Sequence, residues 1–156
     1  MNILDCITYF DEDVILDLRL NILKDHVTKF IITEGAYDHR GKKRKLNFDI
    51  NKYSEFKNQI TYIPVKNFPN LSDPWDMLEY QRNYSMNEID KFDDETFILI
   101  SDVDEIPNPN KIIEFVETKF RYGVFEQLFF YYKLNLLNIT NKFWHGSKIC
   151  KKKDLK

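Results

Sequence analysis

The stretch Thr96-Phe97-Ile98-Leu99-Ile100-Ser101-Asp102-Val103-Asp104-Glu105-Ile106-Pro107 decides how the rest of the chain is read. Its apolar and β-branched run, bounded by charge, predicts a buried central strand. That strand stops abruptly at three carboxylates and a proline. Carboxylates at the carboxyl end of such a strand stand where open α/β sheets bind ligands. A turn beginning at Asp102 lets Asp102 and Asp104 reach one hard cation or its ligand, as oxygen donors do. An isolated Asp-x-Asp carries little weight, since surface turns produce it constantly; its place directly after a strand makes it informative. The competing reading, that these aspartates cap the next helix, is weakened because Asn108 and Pro109 already start that helix well.

Working outward, the 156 residues suit one domain, or part of one, with a sizeable core. Thirteen Phe and nine Tyr against four Gly point to a packed chain. A formal net charge of -2 supplies no general attraction to nucleic acid. The two cysteines, Cys6 and Cys150, make neither a metal-ligand spacing nor a disulfide framework, which fits a reducing compartment. The chain enters its first strand at once, with no room for a signal peptide, and no apolar run approaches a membrane span. The expectation is a soluble, cytoplasmic protein. The triplets Asn70-Leu71-Ser72, Asn83-Tyr84-Ser85 and Asn138-Ile139-Thr140 match a glycosylation pattern that an Asn-rich chain produces by chance.

Residues 3–8 predict a strand, and Asp11 to Val27 an amphipathic helix with Leu16, Leu20, Leu23 and Val27 at helical spacing. Thr28 to Glu34 is a second strand that also ends in a carboxylate, followed by a loop carrying Lys42-Lys43-Arg44-Lys45. A short helix near Asn51–Lys57, a strand from Gln59 to Val65 with Pro64 near its end, and a helix from about Trp75 to Asp90 come next. Asp73-Pro74 supplies the cap and first position of that last helix. After the motif strand come a helix over Pro109–Phe120, with Ile112, Val116 and Phe120 on one face, and a strand near Val124–Lys133. Strands alternating with helices predict an α/β domain with a mainly parallel sheet flanked by helices. The basic segment Lys148 to Lys156 reads as a solvated tail.

Four blocks in order carry a more specific signal. They are Asp5-Cys6-Ile7-Thr8-Tyr9-Phe10-Asp11-Glu12 with Leu18-Arg19-Leu20-Asn21, then Phe30-Ile31-Ile32-Thr33-Glu34, then Gln81-Arg82-Asn83, then Ile100-Ser101-Asp102-Val103-Asp104-Glu105-Ile106-Pro107. Together with Trp144-x-Gly146 they resemble glycosyltransferase family 17, which includes β-1,4-mannosyl-glycoprotein N-acetylglucosaminyltransferases. The resemblance implies a GT-A-type nucleotide-diphospho-sugar transferase fold and an inverting transfer of N-acetylglucosamine from UDP-N-acetylglucosamine to a glycan acceptor. It also implies Mn²⁺, or Mg²⁺, as cofactor. It covers most of residues 3 to 147, so residues 1–147 are expected to be the nucleotide-sugar-binding domain and 148–156 a basic tail. Members of that family usually run longer, so the chain is expected to correspond to the N-terminal donor-binding portion. The alternative is a non-catalytic nucleotide-sugar-binding remnant. A metal-dependent phosphohydrolase or nucleotidyltransferase is disfavoured because no Gly-rich phosphate loop accompanies the carboxylates.

By this resemblance Asp104 would bind the metal directly, and Asp102 would touch the metal, its bound water or the ribose. Glu105 would be structural. Glu34 is a candidate nucleoside contact, or else faces solvent beside the basic loop. Arg82 is a candidate phosphate clamp, because a guanidinium can grip such oxygens bidentately; otherwise it pairs with Glu79 or Glu88. Lys42, Lys43, Arg44 and Lys45 could embrace the diphosphate or form a solvated loop. Trp75 and Tyr80 could stack on sugar or serve as helix-start packing residues, and His145 could reach a metal shell. An inverting transferase needs a base for the acceptor hydroxyl, and Glu126 is the candidate within this chain.

Overall fold

The computed structural model describes residues 1–38, 40–69, 73–131 and 135–155. The chain begins with β1 (Ile3–Tyr9), α1 (Asp13–Leu23) and β2 (Lys29–Gly35). A 3-10 turn at Ile50–Phe56 leads to β3 (Ile60–Val65), then α2 (Pro74–Asn83), α3 (Met86–Ile89) and β4 (Phe97–Asp102). The remainder comprises α4 (Pro109–Val116), β5 (Tyr122–Val124), β6 (Gln127–Leu128), β7 (Phe143–Trp144) and β8 (Lys148–Lys151).

Six strands form one sheet in the order β3-β2-β1-β4-β8-β5, and β6 and β7 form a separate hairpin. Strands β1 to β4 pair in parallel, whereas β8 runs antiparallel to both β4 and β5. The sheet is therefore α/β and mostly parallel, as the strand-helix alternation requires. From β1 the order runs outward through β2 and β3 on one side and jumps to β4 on the other. Such a reversal opens a crevice at the carboxyl ends of the strands beside it. In register, Thr8 lies opposite Asp102 and Tyr9 opposite Glu34, so all these polar residues share one edge.

Side chains alternate across the sheet with period two. On one face Ile3 and Ile7 of β1 meet Leu16, Leu20 and Leu23 of α1, all at most 2% exposed. On the other, Leu4, Cys6, Ile31 and Ile98 meet Ile89. Both faces are covered, which is why β1 and β2 read as nearly unbroken apolar runs rather than alternating ones.

Several element boundaries need correction. The helix placed at Asp11–Val27 spans Asp13–Leu23, although Val27 is still buried beyond its end. The helix placed at Trp75–Asp90 is two: the Ser85 hydroxyl and amide both donate to the Arg82 carbonyl and break the ladder between α2 and α3. The helix placed at Pro109–Phe120 ends at Val116, and Phe120 is 73% exposed rather than aligned with buried Ile112. The strand placed at Val124–Lys133 is instead two short strands in different sheets, with Tyr122, Leu128 and Tyr131 exposed; Tyr132 and Lys133 lie outside the described residues, as does Asn70-Leu71-Ser72.

The largest departure is the segment expected to be a solvated basic tail beyond residue 147. Lys148–Lys151 is β8, inserted in the main sheet, with Ile149 opposite Leu99 on one side and Gly123 on the other. Ile149 is only 1% exposed. The lysines meet an acidic corner: Lys151 contacts Glu95 at 2.6 Å, Lys152 reaches Asp94 at 3.7 Å, and Lys153 pairs with Glu95. Lys151 and Lys153 hold the Glu95 carboxyl down at about 2. Exposed ion pairs of this kind contribute little on their own, so the buried isoleucine anchors the strand. Ile149→Ala should cost about 2–5 kcal/mol in urea denaturation, the range for emptying a core position, whereas Lys153→Ala should change stability by less than about 1 kcal/mol. Equal and negligible effects would return the segment to the status of a tail.

Candidate functional site

The site begins with a charge where the pattern of α1 calls for an apolar side chain. Leu16, Leu20 and Leu23 form the inward stripe of the helix, and Arg19 lies in the same stripe, fully buried. Burying a guanidinium is costly unless every donor finds an acceptor. Here Asp5, equally buried in β1, accepts from Nε and Nη2 at 2.7 Å each, a bidentate pair. Nη2 also donates to Ser101 Oγ at 2.6 Å. Nη1 donates to the carbonyls of Asp102, Val103 and Glu105 at 3.0, 3.3 and 3.1 Å. Arg19 thus ties the helix to β1 and to the turn that carries the acidic motif.

The turn is closed from its own side as well. The Glu105 amide donates to the Asp102 carbonyl at 3.1 Å, and the Glu105 carboxylate accepts from the Asp102 amide at 2.9 Å. The expectation that Glu105 is structural is thereby given a geometry. Asp102 Oδ1 accepts from Thr8 Oγ1 at 3.2 Å and from Arg82 Nη2 at 2.9 Å. Arg82 therefore pairs with the motif aspartate and with neither Glu79 nor Glu88, and its Nε is buried without a partner. Asp104 is exposed at the turn's tip. Partial burial pushes its carboxyl above the ordinary range, and the neighbouring charges of Asp102 and Glu12 push the same way.

Asp104 stands between two cavities. The smaller, of about 370 Å³, is lined by Thr8, Phe10, Tyr37, Leu78, Asp102 and Asp104 at the crevice beside β1 and β4. The larger, of about 780 Å³, runs between α4 and the β5–β6 segment and has Asp104, Ile106, Phe125 and Glu126 on its wall. Glu126 is in coil between β5 and β6 rather than on a strand, and its carboxylate lies 3.5 Å from His145 Nε2. His145 accordingly faces Glu126. Among the described residues no group of three or more His, Cys, Asp or Glu forms a metal cage.

Glu34 is fully buried, not solvent-facing. Its oxygens accept from Arg44 at 3.0 Å, the amides of Asn47 and Phe48 at 2.7 and 3.1 Å, and Tyr62 OH at 2.8 Å. It orders the loop that follows β2. Within the basic run, Arg44 is an internal strut that lies 3.9 Å over the Phe10 ring and donates to the Phe10 carbonyl. Lys42, Lys43 and Lys45 remain exposed. Trp75 is 76% exposed at the start of α2, while Tyr80 packs against Phe68 and Tyr84.

A family model described as glycosyltransferase family 17 matches residues 1–142. The chain belongs to glycosyltransferase family 17. No curated protein matches it. As a family 17 glycosyltransferase with a GT-A-like fold, it uses a donor and an acceptor substrate, and none of its described helices is long and apolar enough to cross a membrane.

The acidic turn offers hard oxygen donors of the kind Mn²⁺ or Mg²⁺ takes. Thr8 and Arg19 were not singled out for roles by sequence reasoning. A charge inside the apolar stripe of α1, matched by Asp5 inside the apolar run of β1, is the signal that marks the latter.

Arg19→Met should destabilise the fold by about 3–5 kcal/mol in chemical denaturation, because it strands Asp5 as a buried charge. Adding Asp5→Leu should restore much of that loss without restoring the turn, since Ser101 and the three carbonyls still lack their donor. A single-variant loss below about 1 kcal/mol would contradict the buried pairing.

Proposed function

We propose that this transferase moves N-acetylglucosamine from UDP-N-acetylglucosamine to a glycan acceptor with inversion, in a divalent-cation-dependent reaction. The observation that carries the reading is the rigid Asp102–Glu105 turn at the sheet's reversal point, opening on a crevice lined by Thr8, Asp102 and Asp104. Asp104, with Asp102, would hold Mn²⁺ or Mg²⁺. When bound, that ion neutralises the leaving diphosphate.

The remaining work falls to side chains. Arg82 pairs with Asp102 and adds positive charge near the diphosphate. Glu34, the candidate nucleoside contact, acts by ordering the loop after β2, since its oxygens are already occupied. Glu126, across the larger cavity, serves as base for the acceptor hydroxyl, and His145 orients it.

Asp104→Asn should abolish most of the Mn²⁺-dependent UDP affinity measured by calorimetry, because a neutral amide is a poorer ligand for a hard cation. Asp102→Asn should weaken it less. Unchanged Mn²⁺-dependent binding in Asp104→Asn would remove the central assignment.

Catalysis is tested separately. Glu126→Gln should leave UDP-sugar affinity nearly intact while lowering transfer by about 10²-fold or more, the scale of losing general-base assistance. Wild-type-like transfer by that variant would place the base elsewhere. Mn²⁺-dependent UDP binding with neither donor hydrolysis nor transfer would indicate the binding remnant.

A further inference from the structure

The β6–β7 hairpin is the least expected part of the surface. Its own strand β7 consists of two aromatic residues, Phe143 at 44% and Trp144 at 47% exposed. Phe129 lies 5.2 Å from Trp144 with the rings 31° apart, and 4.8 Å from Tyr131. Phe129, Phe143 and Trp144, with Asn141 and His145, line an open pocket of about 490 Å³. That size falls within the range of small-ligand pockets.

The hairpin is not a loose flap. Trp144 Nε1 donates to the Glu105 carboxylate, the same group that closes the acidic turn. Gly146 lies so close that a Cβ there would stand 1.7 Å from Glu105 Oε1. The single Ser147 hydroxyl proton is shared between the Glu105 carbonyl at 2.7 Å and Gln127 Oε1 at 2.9 Å, and Gln127 Nε2 donates to the Ile106 carbonyl at 2.8 Å. The aromatic platform and the acidic turn are one mechanical unit.

We propose that this platform binds a pyranose ring of the neutral saccharide acceptor and thereby positions it against the donor site. The inference rests on the transferase reading for its occupant. Aromatic faces carry negative charge density, and the C–H face of a pyranose presents the complementary positive edge. The amide of Asn141 and the imidazole of His145 supply hydrogen-bonding groups for hydroxyls at the rim. The indole N–H is committed to Glu105, so Trp144 offers its ring face. A diphosphate has no apolar face to stack, which separates this surface from the donor crevice. Continuity with the turn through Glu105 favours a transferase substrate over an unrelated partner.

Intrinsic fluorescence tests this directly, because replacing Trp75 leaves Trp144 as the sole tryptophan. Trp75→Phe protein is titrated with chitotriose and with mannotriose, alone and with saturating UDP and Mn²⁺. A saturable change in Trp144 emission is expected with at least one sugar. Phe129→Ala should weaken that affinity by about tenfold, the scale of one aromatic stack, while UDP affinity by calorimetry stays unchanged. Trp144→Ala, followed by calorimetry with the same sugars, should also lose affinity, and Trp144→Phe should retain more of it than Trp144→Ala.

No emission change with either sugar in both conditions would overturn the proposal, as would equal sugar affinity in wild-type and Phe129→Ala protein of native circular dichroism. Self-association by sedimentation that Phe129→Ala abolishes, with no sugar binding, would also overturn it and make the patch an interface between copies. Sugar binding measured without UDP or metal stands or falls independently of the donor assignment.

Discussion

One buried ion pair organises the functional edge of this molecule. Arg19 and Asp5 are both removed from water, and their attraction alone does not offset the loss of hydration. What makes the pair tenable is the additional acceptors: Ser101 Oγ and the carbonyls of residues 102, 103 and 105. Those carbonyls belong to the turn that presents Asp102 and Asp104. The cost of burying Arg19 is therefore coupled to the shape of the candidate metal site, and a guanidinium's planar fork suits the task as a lysine ammonium does not.

Glu105 is the second organising group, because it works in two directions. One oxygen receives the Asp102 amide and closes the turn; the other receives the Trp144 indole and holds the aromatic hairpin against it. Gly146 permits the approach by having no side chain to displace the carboxylate. The acidic turn and the aromatic hairpin thus share one carboxylate, and Asp104 lies on the walls of both neighbouring cavities. On the proposed reading, such sharing would keep two reacting groups in fixed relation, from which proximity effects arise.

The legible parts of the site were those with local grammar. Ile98-Leu99-Ile100 followed by Ser101-Asp102-Val103-Asp104 announced a central strand and its polar end, since burial on both faces and an abrupt change of polarity are written in adjacent residues. Asp73-Pro74 and Asn108-Pro109 marked helix starts, because cap and first-turn requirements span only a few positions. Arg82 could be selected as a candidate cation, but its contact with Asp102 could not, since the two come from separate elements 20 residues apart.

By itself the sequence determined the α/β class, the strand-helix alternation over the first hundred residues, the place of the acidic motif and membership in a glycosyltransferase family. Only the tertiary structure decided what the last third does. Lys148-Ile149-Cys150-Lys151 looks like a charged tail because its pattern is dominated by lysine, yet one buried isoleucine and an acidic corner over 50 residues earlier make it a sheet strand. Likewise the aromatics after Val124 look like a buried strand, and the antiparallel pairing of β5 with β8 and of β6 with β7 leaves several on the surface. Periodicity records which residues can be buried. Which of them are buried depends on partners brought from elsewhere in the chain, and those contacts exist only after folding.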